Sequence, residues 1–558
     1  MVTRSEAIAR LTAPGEDYEL VVEELYGQPC RTFKNAPRNL HQLYFDTRSD
    51  ETFFVYGEER LTFEEMYLAS ARVARLLVDG FGIEPGDRVA ISMRNYPEWV
   101  QGFMAVTSIG AVAVCMNALW TSEEMQYGLE DSGAKVLLAD QERVDRIVAM
   151  PGCVEDCRVI AVRPGKELPA GIPDLADALA GIEAVMPEID VAPEADATIF
   201  YTSGSTGHPK GVVSCHRNIL HALLSWELDG QATLLERGEE APELEIQLAT
   251  LLAVPLFHVT GSHAVYLSCY RNQRKMVSMY KWNPEEAAEL IEREKITSFV
   301  APAAMTGDLV RTAARTNADL GTLLQVGGGG APRAPEQVGQ IDESFTNALP
   351  GTGWGMSETN AIGVGIGGED YLHRPASSGR CSAVLDLRIV DEEENEVPIG
   401  ERGELQVRGT SVFRGYWNRP EATAETFAEG RWLKTGDVAT IDEDGFVFIV
   451  DRIKDLVIRG GENIGCGQVE AALLEHPLVL EACVFAVPDD RLGEEVGASV
   501  YSREVIDEGE LRDFLAERLA KFEVPRYFFL TAEPLPRIAS GKIYKRGLRE
   551  EAVTKLSS

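Results

Sequence analysis

The sequence predicts an α/β protein: a large N-terminal region of layered α/β sheets, a β-rich subdomain after it, and a small C-terminal α+β domain. Three observations carry this. A chain of 558 residues is too long for one compact core and implies two or more domains. From about Leu61 helical periodicity alternates with short apolar runs, the pattern of helices layered on a largely parallel sheet. After about Gly379 the texture changes to short strands separated by turns, and beyond Asp451-Arg-Ile-Lys454 a smaller α/β alternation begins.

The elements follow in order. Phe63-Glu-Glu-Met-Tyr-Leu-Ala-Ser-Ala-Arg-Val-Ala-Arg-Leu-Leu77 reads as an amphipathic helix with Thr62 as its N-cap. Gly86-Asp-Arg-Val-Ala-Ile-Ser-Met93 reads as a turn and a buried strand. The most apolar segment, Gly102 to Leu119, carries Thr107, Ser108 and Asn117, and reads as a buried helix followed by a strand rather than a membrane span. Val136-Leu-Leu-Ala, Ile199-Phe-Tyr, the apolar run from Gln247 and Thr297-Ser-Phe-Val-Ala repeat the strand theme, with a helix over 285–295. Leu387-Arg-Ile-Val, Gly403-Glu-Leu-Gln-Val-Arg-Gly and Gly445-Phe-Val-Phe-Ile-Val are the short strands of the β-rich part. The last unit predicts a helix at 467–474, a strand at 482–487 and a helix at 508–519.

Composition narrows the function classes. The formal charge is 53 − 89 = −36, which argues against nucleic acid or an anionic membrane as partner. Any bound nucleotide must then meet local positive charge inside a cleft. No apolar run follows Met1-Val-Thr-Arg-Ser-Glu, so no signal peptide is expected. Nine scattered cysteines, an odd number, point to reduced thiols in the cytoplasm. Cys153 and Cys157 lack a histidine or a second cysteine pair, and His258 and His263 lack a glutamate partner, so neither pair reads as a metal site.

The most informative stretch is Tyr201-Thr-Ser-Gly-Ser-Thr-Gly-His-Pro-Lys-Gly211. The β-prone run ahead of it and Gly211-Val-Val-Ser behind it predict a hairpin capped by this loop. Glycines let successive amides converge on an anion, and hydroxyls and the Lys210 ammonium add donors, which makes a phosphate cradle. It is not a Walker loop, since Pro209 precedes the lysine and Gly211 follows it. Four glycines, Gly327 to Gly330, follow an apolar run and suit close approach to something flat. Gly353-Trp-Gly-Met-Ser-Glu-Thr359 combines an aromatic plane, a hydroxyl and a carboxylate. Lys434-Thr-Gly-Asp437 reads as a turn before a strand.

The order Y-T-S-G-S-T-G-x-P-K-G resembles the AMP-binding signature of the adenylate-forming superfamily: acyl- and aryl-CoA ligases, peptide-synthetase adenylation domains and firefly-type luciferases. The resemblance covers the chain from about Phe63 to Arg546. It implies an N-terminal AMP-binding domain over 1–453 and a mobile C-terminal lid over 454–558. By this resemblance Thr202, Ser203, Gly204, Ser205, Thr206, Gly207 and Lys210 hold phosphate. Gly353-Trp-Gly-Met-Ser-Glu resembles the family's Y-G-M-T-E element, with Trp354 replacing the usual tyrosine. Trp354 then stacks on adenine beside Gly329, Gly330 and Ala331, flanked by Gly353, Gly355 and Met356; Ser357 contacts phosphate and Glu358 helps hold Mg²⁺. Asp437 accepts both ribose hydroxyls, Arg452 contacts the nucleotide, and Lys454 is the hinge. Pro536-Arg-Ile-Ala-Ser-Gly-Lys542-Ile resembles the final motif, whose lysine contacts the α-phosphate and the attacking carboxylate. Lys542, Thr202, Lys210 and Glu358 are thus the implied catalytic set.

The implied chemistry is attack of a carboxylate on the α-phosphorus of ATP, giving an acyl-adenylate and pyrophosphate. Lid rotation then presents Gly460-Gly461 beside a tunnel for a second nucleophile. Ile458-Arg-Gly-Gly-Glu-Asn-Ile464 and Lys521-Phe-Glu-Val-Pro-Arg526 resemble elements of CoA ligases, which implies coenzyme A, although Glu523 replaces a common lysine and Gly465-Cys-Gly467 departs from the usual helix start. By resemblance the acyl pocket runs past His258, Thr260, Gly261, Met305, Gly328 and Val364, with His258 as gate. These residues are small or apolar, and none is a lysine or arginine able to pair a second carboxylate, so a hydrophobic acid, fatty or bulky alicyclic, is expected. Two other readings stay open: transfer of the acyl group to a carrier-protein thiol or an amine, and an inert nucleotide-binding scaffold. A homodimer is implied by relatives alone.

Overall fold

The computed structural model describes residues 2–150, 156–202, 209–239, 245–316, 318–329, 333, 335–459, 462–489, 491–538 and 542–557. Two sheets organise the larger part. The first has seven strands in the order Gly415–Tyr416, Lys210–Cys215, Asp196–Thr202, Val112–Cys115, Arg88–Ser92, Val136–Asp140 and Arg158–Val162. The last five are parallel, whereas Lys210–Cys215 folds back antiparallel and Gly415–Tyr416 closes the edge. Parallel strands buried on both faces read as continuous apolar runs, and Val89, Ile91, Val136, Leu137 and Leu138 are accordingly buried.

The second sheet has fourteen strands. Thr52–Tyr56, Lys275–Ser278, Ala249–Leu252, Ser298–Val300, Gln325–Gly328 and Leu349–Trp354 run parallel. From Val364–Gly367 onward the ladder turns antiparallel through Gly379–Cys381, Phe446–Arg452, Trp432–Ile441, Gly403–Gly409 and Leu385–Val390. The β-rich stretch is therefore hydrogen-bonded into the parallel sheet. What changes from Val364 onward is strand direction: antiparallel neighbours need only tight turns, so the intervening helices shrink to short ones such as Pro420–Thr426.

Local signals explain several elements. The helix Phe63–Arg75 starts at Thr62, whose hydroxyl accepts the Glu65 N–H while the Glu65 carboxylate accepts the Thr62 N–H. It buries Phe63, Met66, Tyr67, Ala71, Val73 and Ala74, and ends in a wide π-turn over Leu76–Gly80. The apolar segment resolves into the helix Pro97–Ser108 and the strand Val112–Cys115. Among the described residues no helix is long and apolar enough to cross a membrane.

The C-terminal unit carries a five-stranded sheet, with Val479–Asp489 and Gly493–Ser502 as its long antiparallel pair and Tyr527–Thr531 added in parallel. Helices Cys466–Leu474 and Glu508–Ala516 close a separate core around Val469, Leu473, Val484, Val496, Val500, Leu511 and Leu515. The strands Asp196–Thr202, Gln325–Gly328 and Leu349–Trp354 all run into sequence motifs at their C-terminal ends, where open α/β sheets place their ligands.

Candidate active site

The hairpin stem forms as its sequence predicts: Lys210 pairs with Thr202 and Gly211 with Tyr201. Tyr201 anchors the stem by donating to Asp131 Oδ2 at 2.8 Å, and the Thr202 hydroxyl donates to the Lys210 carbonyl at 3.4 Å. Ser203, Gly204, Ser205, Thr206 and Gly207 lie outside the described residues, as do Gly330, Ala331, Gly460 and Gly461.

Glu358 sits in a single turn, Ser357–Thr359, after the strand Leu349–Trp354. The chain leaves this turn through two left-handed non-glycine residues, Asn360 (φ 57°) and Ala361 (φ 66°). Such backbone persists only where its surroundings over-determine it. Here the Asn360 amide donates to the Ser411 carbonyl at 2.8 Å and the Ala361 N–H to the Met356 carbonyl at 2.9 Å. The Glu358 carbonyl accepts the Phe413 N–H at 2.8 Å, and its Oε1 accepts the Tyr416 hydroxyl at 2.8 Å. Burial pushes this carboxyl above its ordinary range, while the Tyr416 bond, its own backbone, Arg452 and Lys210 pull it back. The Lys210 ammonium stands 5.0 Å from the centre of the Tyr416 ring. A buried carboxylate oxygen beside the residues expected to bind phosphate suits Mg²⁺, which is held through one or two carboxylates plus substrate phosphates.

Trp354, Asp437 and Arg452 form one unit. The indole Nε1–H donates to Asp437 Oδ2 at 2.8 Å, and Arg452 Nε lies 2.9 Å from Asp437 Oδ1. Asp437 and Arg452 are register partners on adjacent strands. One face of the indole lies on Gly363, where a Cβ would stand 2.5 Å from Cε3, so only glycine allows this packing. Asp437 lies inside the strand Trp432–Ile441, not in a turn before it, which corrects the sequence expectation. The turn-like signal comes from an irregularity in the pairing, where Gly436 (φ +70°) donates its N–H to Glu404 Oε1 at 3.0 Å. Burial raises the Asp437 carboxyl, with Arg452, the Trp354 bond and Lys542 opposing.

Lys542 comes from the C-terminal unit, beside the bridge between Arg537 and Ile543, with its carbonyl accepting the Ile538 N–H at 2.8 Å. It keeps solvent access, yet crowding by protein holds its ammonium below the usual lysine range; Arg452 acts in the same sense and Asp437 opposes. The same ammonium bears on His258, which burial pushes down to about 4. His258 is thus neutral near pH 7, and its Nε2 is buried without a hydrogen-bond partner among the described residues. Lys542 therefore brings together the C-terminal unit, the Asp437–Arg452 pair and the expected acyl gate. Lys454 is exposed in the short turn Ile453–Asp455.

Of the expected acyl-pocket residues, Thr260 and Gly261 open a π-helix, Thr260–Leu267, that passes close over the preceding loop. A Cβ on Gly261 would stand 2.1 Å from the Pro255 carbonyl oxygen. Met305 and Val364 are buried, and Gly328 ends the strand Gln325–Gly328. The loop from Val254 to His258 is held by Asn95, whose amide donates to the Val254 carbonyl and accepts the Leu256 N–H, both at 3.0 Å.

Sequence reasoning missed Tyr416, Asn95 and the half-buried pair Lys545–Glu470 (3.2 Å), which ties the segment after Lys542 to the helix Cys466–Leu474. No local pattern marks them, because each acts through a partner more than fifty residues away. It also passed over Arg333, a buried guanidinium against Gly328 whose nitrogens have no partner among the described residues.

Comparison with known proteins places this geometry. The family model "AMP-binding enzyme" matches residues 44–417, and "AMP-binding enzyme C-terminal domain" matches 468–542. The 2-succinylbenzoate–CoA ligase of Geobacillus kaustophilus is 34% identical over 505 residues, 88% of this chain and 93% of that protein. The long-chain-fatty-acid–CoA ligase FadD13 of Mycobacterium tuberculosis is 31% identical over 499 residues, 88% of this chain and 93% of its own. Among solved structures, o-succinylbenzoate coenzyme A synthetase from Bacillus subtilis, in complex with ATP and magnesium ion, superposes with a TM-score of 0.76 at 29% identity, over 92% of this chain and 99% of that one.

Proposed function

Because this chain belongs to the AMP-binding enzyme family, within the adenylate-forming superfamily, we propose that it is an AMP-forming ligase that activates a hydrophobic carboxylic acid and passes it to coenzyme A. The observation that carries the reading is the side-chain cluster in which Asp437 accepts from Trp354 and pairs with Arg452 while Glu358 accepts from Tyr416 beside Lys210.

In the first half-reaction a carboxylate oxygen forms a bond to the α-phosphorus of ATP while the bond to pyrophosphate breaks. Two anions must approach, so the protein's contribution is placed positive charge. Lys210 and the Thr202 hydroxyl lie at the stem of the phosphate loop, and the Lys542 ammonium acts electrostatically on both Asp437 and His258. Glu358 would hold Mg²⁺, which would supply neutralisation of phosphate charge. Trp354 offers its free face to adenine, and Asp437 retains lone pairs on both oxygens for the ribose hydroxyls. In the second half-reaction the CoA sulfur attacks the acyl carbon and AMP leaves. We assign residues 1–453 to nucleotide and acyl binding and 454–558, turning about Lys454, to the lid. The named acids of the relatives, a succinylbenzoate and long-chain fatty acids, share a large apolar part, and Met305, Val364 and neutral His258 suit such a part.

The test is a panel of acids graded in length and ring content, assayed with ATP and Mg²⁺ for pyrophosphate release and, with CoA added, for thioester by mass. Adenylation of at least one apolar acid and its CoA thioester are expected. Pyrophosphate without any thioester would redirect the reading to a carrier-protein thiol or amine acceptor; neither product would remove it.

A further inference from the structure

Tyr416 touches both halves of the phosphate-side machinery. Its hydroxyl donates to Glu358 Oε1 at 2.8 Å, and its ring faces the Lys210 ammonium at 5.0 Å. Its backbone is equally committed. Gly415–Tyr416 pairs with Val212 and Val213 on the strand that begins with Lys210, and the Tyr416 N–H donates to Thr423 Oγ1 at 2.9 Å. Three residues earlier, Phe413 donates its N–H to the Glu358 carbonyl and packs its ring edge-on against Tyr416, centroids 5.0 Å apart. One short segment therefore fixes Glu358 at both its backbone and its carboxylate.

The carboxylate torsion of a glutamate is broad and roughly two-fold, so burial alone does not set the plane of its oxygens. A hydrogen bond to one oxygen does. We propose that Tyr416 is a positioning residue that fixes the plane of the Glu358 carboxylate, directing Oε2 to the divalent cation that accompanies ATP, while its ring holds Lys210 in register with that carboxylate. The proposal rests on the assignment of Mg²⁺ to Glu358 made above. Burial and the adjacent Glu358 hold the phenol well above its ordinary range, so Tyr416 remains a donor throughout the working pH range.

Tyr416→Phe keeps the ring, its contact with Phe413 and the cation–π geometry, and deletes only the hydroxyl. Binding is read by calorimetry for two ligands: ATP with Mg²⁺, and AMP, which needs no divalent cation. For Tyr416→Phe the ATP–Mg²⁺ affinity is expected to fall about tenfold, the loss typical of one hydrogen bond to a charged group. The Mg²⁺ concentration for half-maximal adenylation should rise in parallel, AMP affinity should stay unchanged, and the melting temperature should hold. In a Glu358→Gln background the same change should have no further effect, because the two residues act as one unit. Equal losses for AMP and ATP–Mg²⁺, or full additivity with Glu358→Gln, would reduce Tyr416 to packing; no change in either ligand would overturn the proposal outright. If the unaltered protein bound neither ligand, the assignment of an ATP site would fail instead, and the two failures are distinguishable.

Discussion

The two parts of the molecule hold their functional charges by different means. In the main body each charge is woven into a sheet. Asp437 and Arg452 are cross-strand neighbours, Lys210 starts a strand, and Glu358 is clamped at its carbonyl and its carboxylate. In the C-terminal unit, Lys542 stands beside a single bridge, and the following helix is tied down by a half-buried ion pair, Lys545–Glu470, with Glu470 also accepting the Val484 N–H at 2.8 Å. The unit has its own core. The proposed nucleotide grip is thus built into the fold of the body, whereas the proposed catalytic lysine belongs to a unit with its own core, so the two should fail separately.

The strongest test of that separation is Lys542→Ala. Removing one placed charge of this kind costs about 10²–10³ in rate. Pyrophosphate release should fall by that factor, while thioester formation from a supplied acyl-adenylate proceeds and ATP affinity changes little. Equal loss of both half-reactions would mean that the lysine is part of the grip after all.

Next in size is Glu470→Ala. It leaves the half-buried Lys545 ammonium without its partner and the Val484 N–H without its acceptor, and an unpaired buried donor costs about 1–3 kcal/mol. Because the C-terminal unit has a separate core, calorimetry should show an early transition for that unit alone, with AMP binding retained. A single cooperative melt shifted as a whole would show the two parts to be coupled more tightly than their cores suggest.

The charge state of Lys542 separates the parts by pH. Its ammonium faces Asp437, Arg452 and His258; crowding and Arg452 lower its pKa below the ordinary 10.5, and Asp437 only partly opposes. The sign for activity follows: the ammonium form is the useful one, so adenylation should fall as pH rises through this depressed value, earlier than an ordinary lysine would allow. For stability, the unfolded chain binds the proton more tightly, so this group's contribution grows with pH between the folded value and 10.5. Lys542→Arg should move the alkaline limb of the rate profile upward, and an unmoved limb would assign it to another group.

A smaller effect probes the body. Trp354→Phe keeps an aromatic face over Gly363 but loses the 2.8 Å bond to buried Asp437. Hydrogen bonds to charged groups contribute about 1.5–3 kcal/mol, so AMP affinity should drop about tenfold, with the fate of a supplied acyl-adenylate unaltered. No change would show that Arg452 alone orients the carboxylate.

The same contrast governs what was legible in the sequence. Features set by consecutive backbone, such as the hairpin stem at Tyr201–Thr202 and Lys210–Gly211, could be read directly, as could the capping box at Thr62 and Glu65. The alternation before Gly379 likewise matches the parallel sheets. What escaped depended on register. The continuity of the second sheet, the strand position of Asp437 and the reach of Tyr416 to Glu358 all come from pairing between distant segments, which no local periodicity encodes. The acyl end is least legible because its apolar side chains carry only size.

Arg333 sharpens the comparison at its finest scale, because it is a charge in the body that the sheet does not use. It is 8% exposed, desolvation lowers its pKa, and none of its guanidinium nitrogens has a partner among the described residues. Its place against Gly328 raises the question of a second carboxylate on the acid. The register argues otherwise. Gly328 shares a face with Val326, which pairs with Phe299, and Phe299 stacks on Trp282, whose indole donates to Asp308 of the helix Ala303–Arg315. The opposite face carries the Thr250–Ser298 hydroxyl pair. Arg333 therefore lies on the helix-covered side, where a buried unsatisfied donor costs about 1–3 kcal/mol. Arg333→Met should raise the melting temperature by a few degrees and leave the ranking of acids untouched; a fall in stability, or selective loss of dicarboxylic acids, would make this guanidinium part of the site.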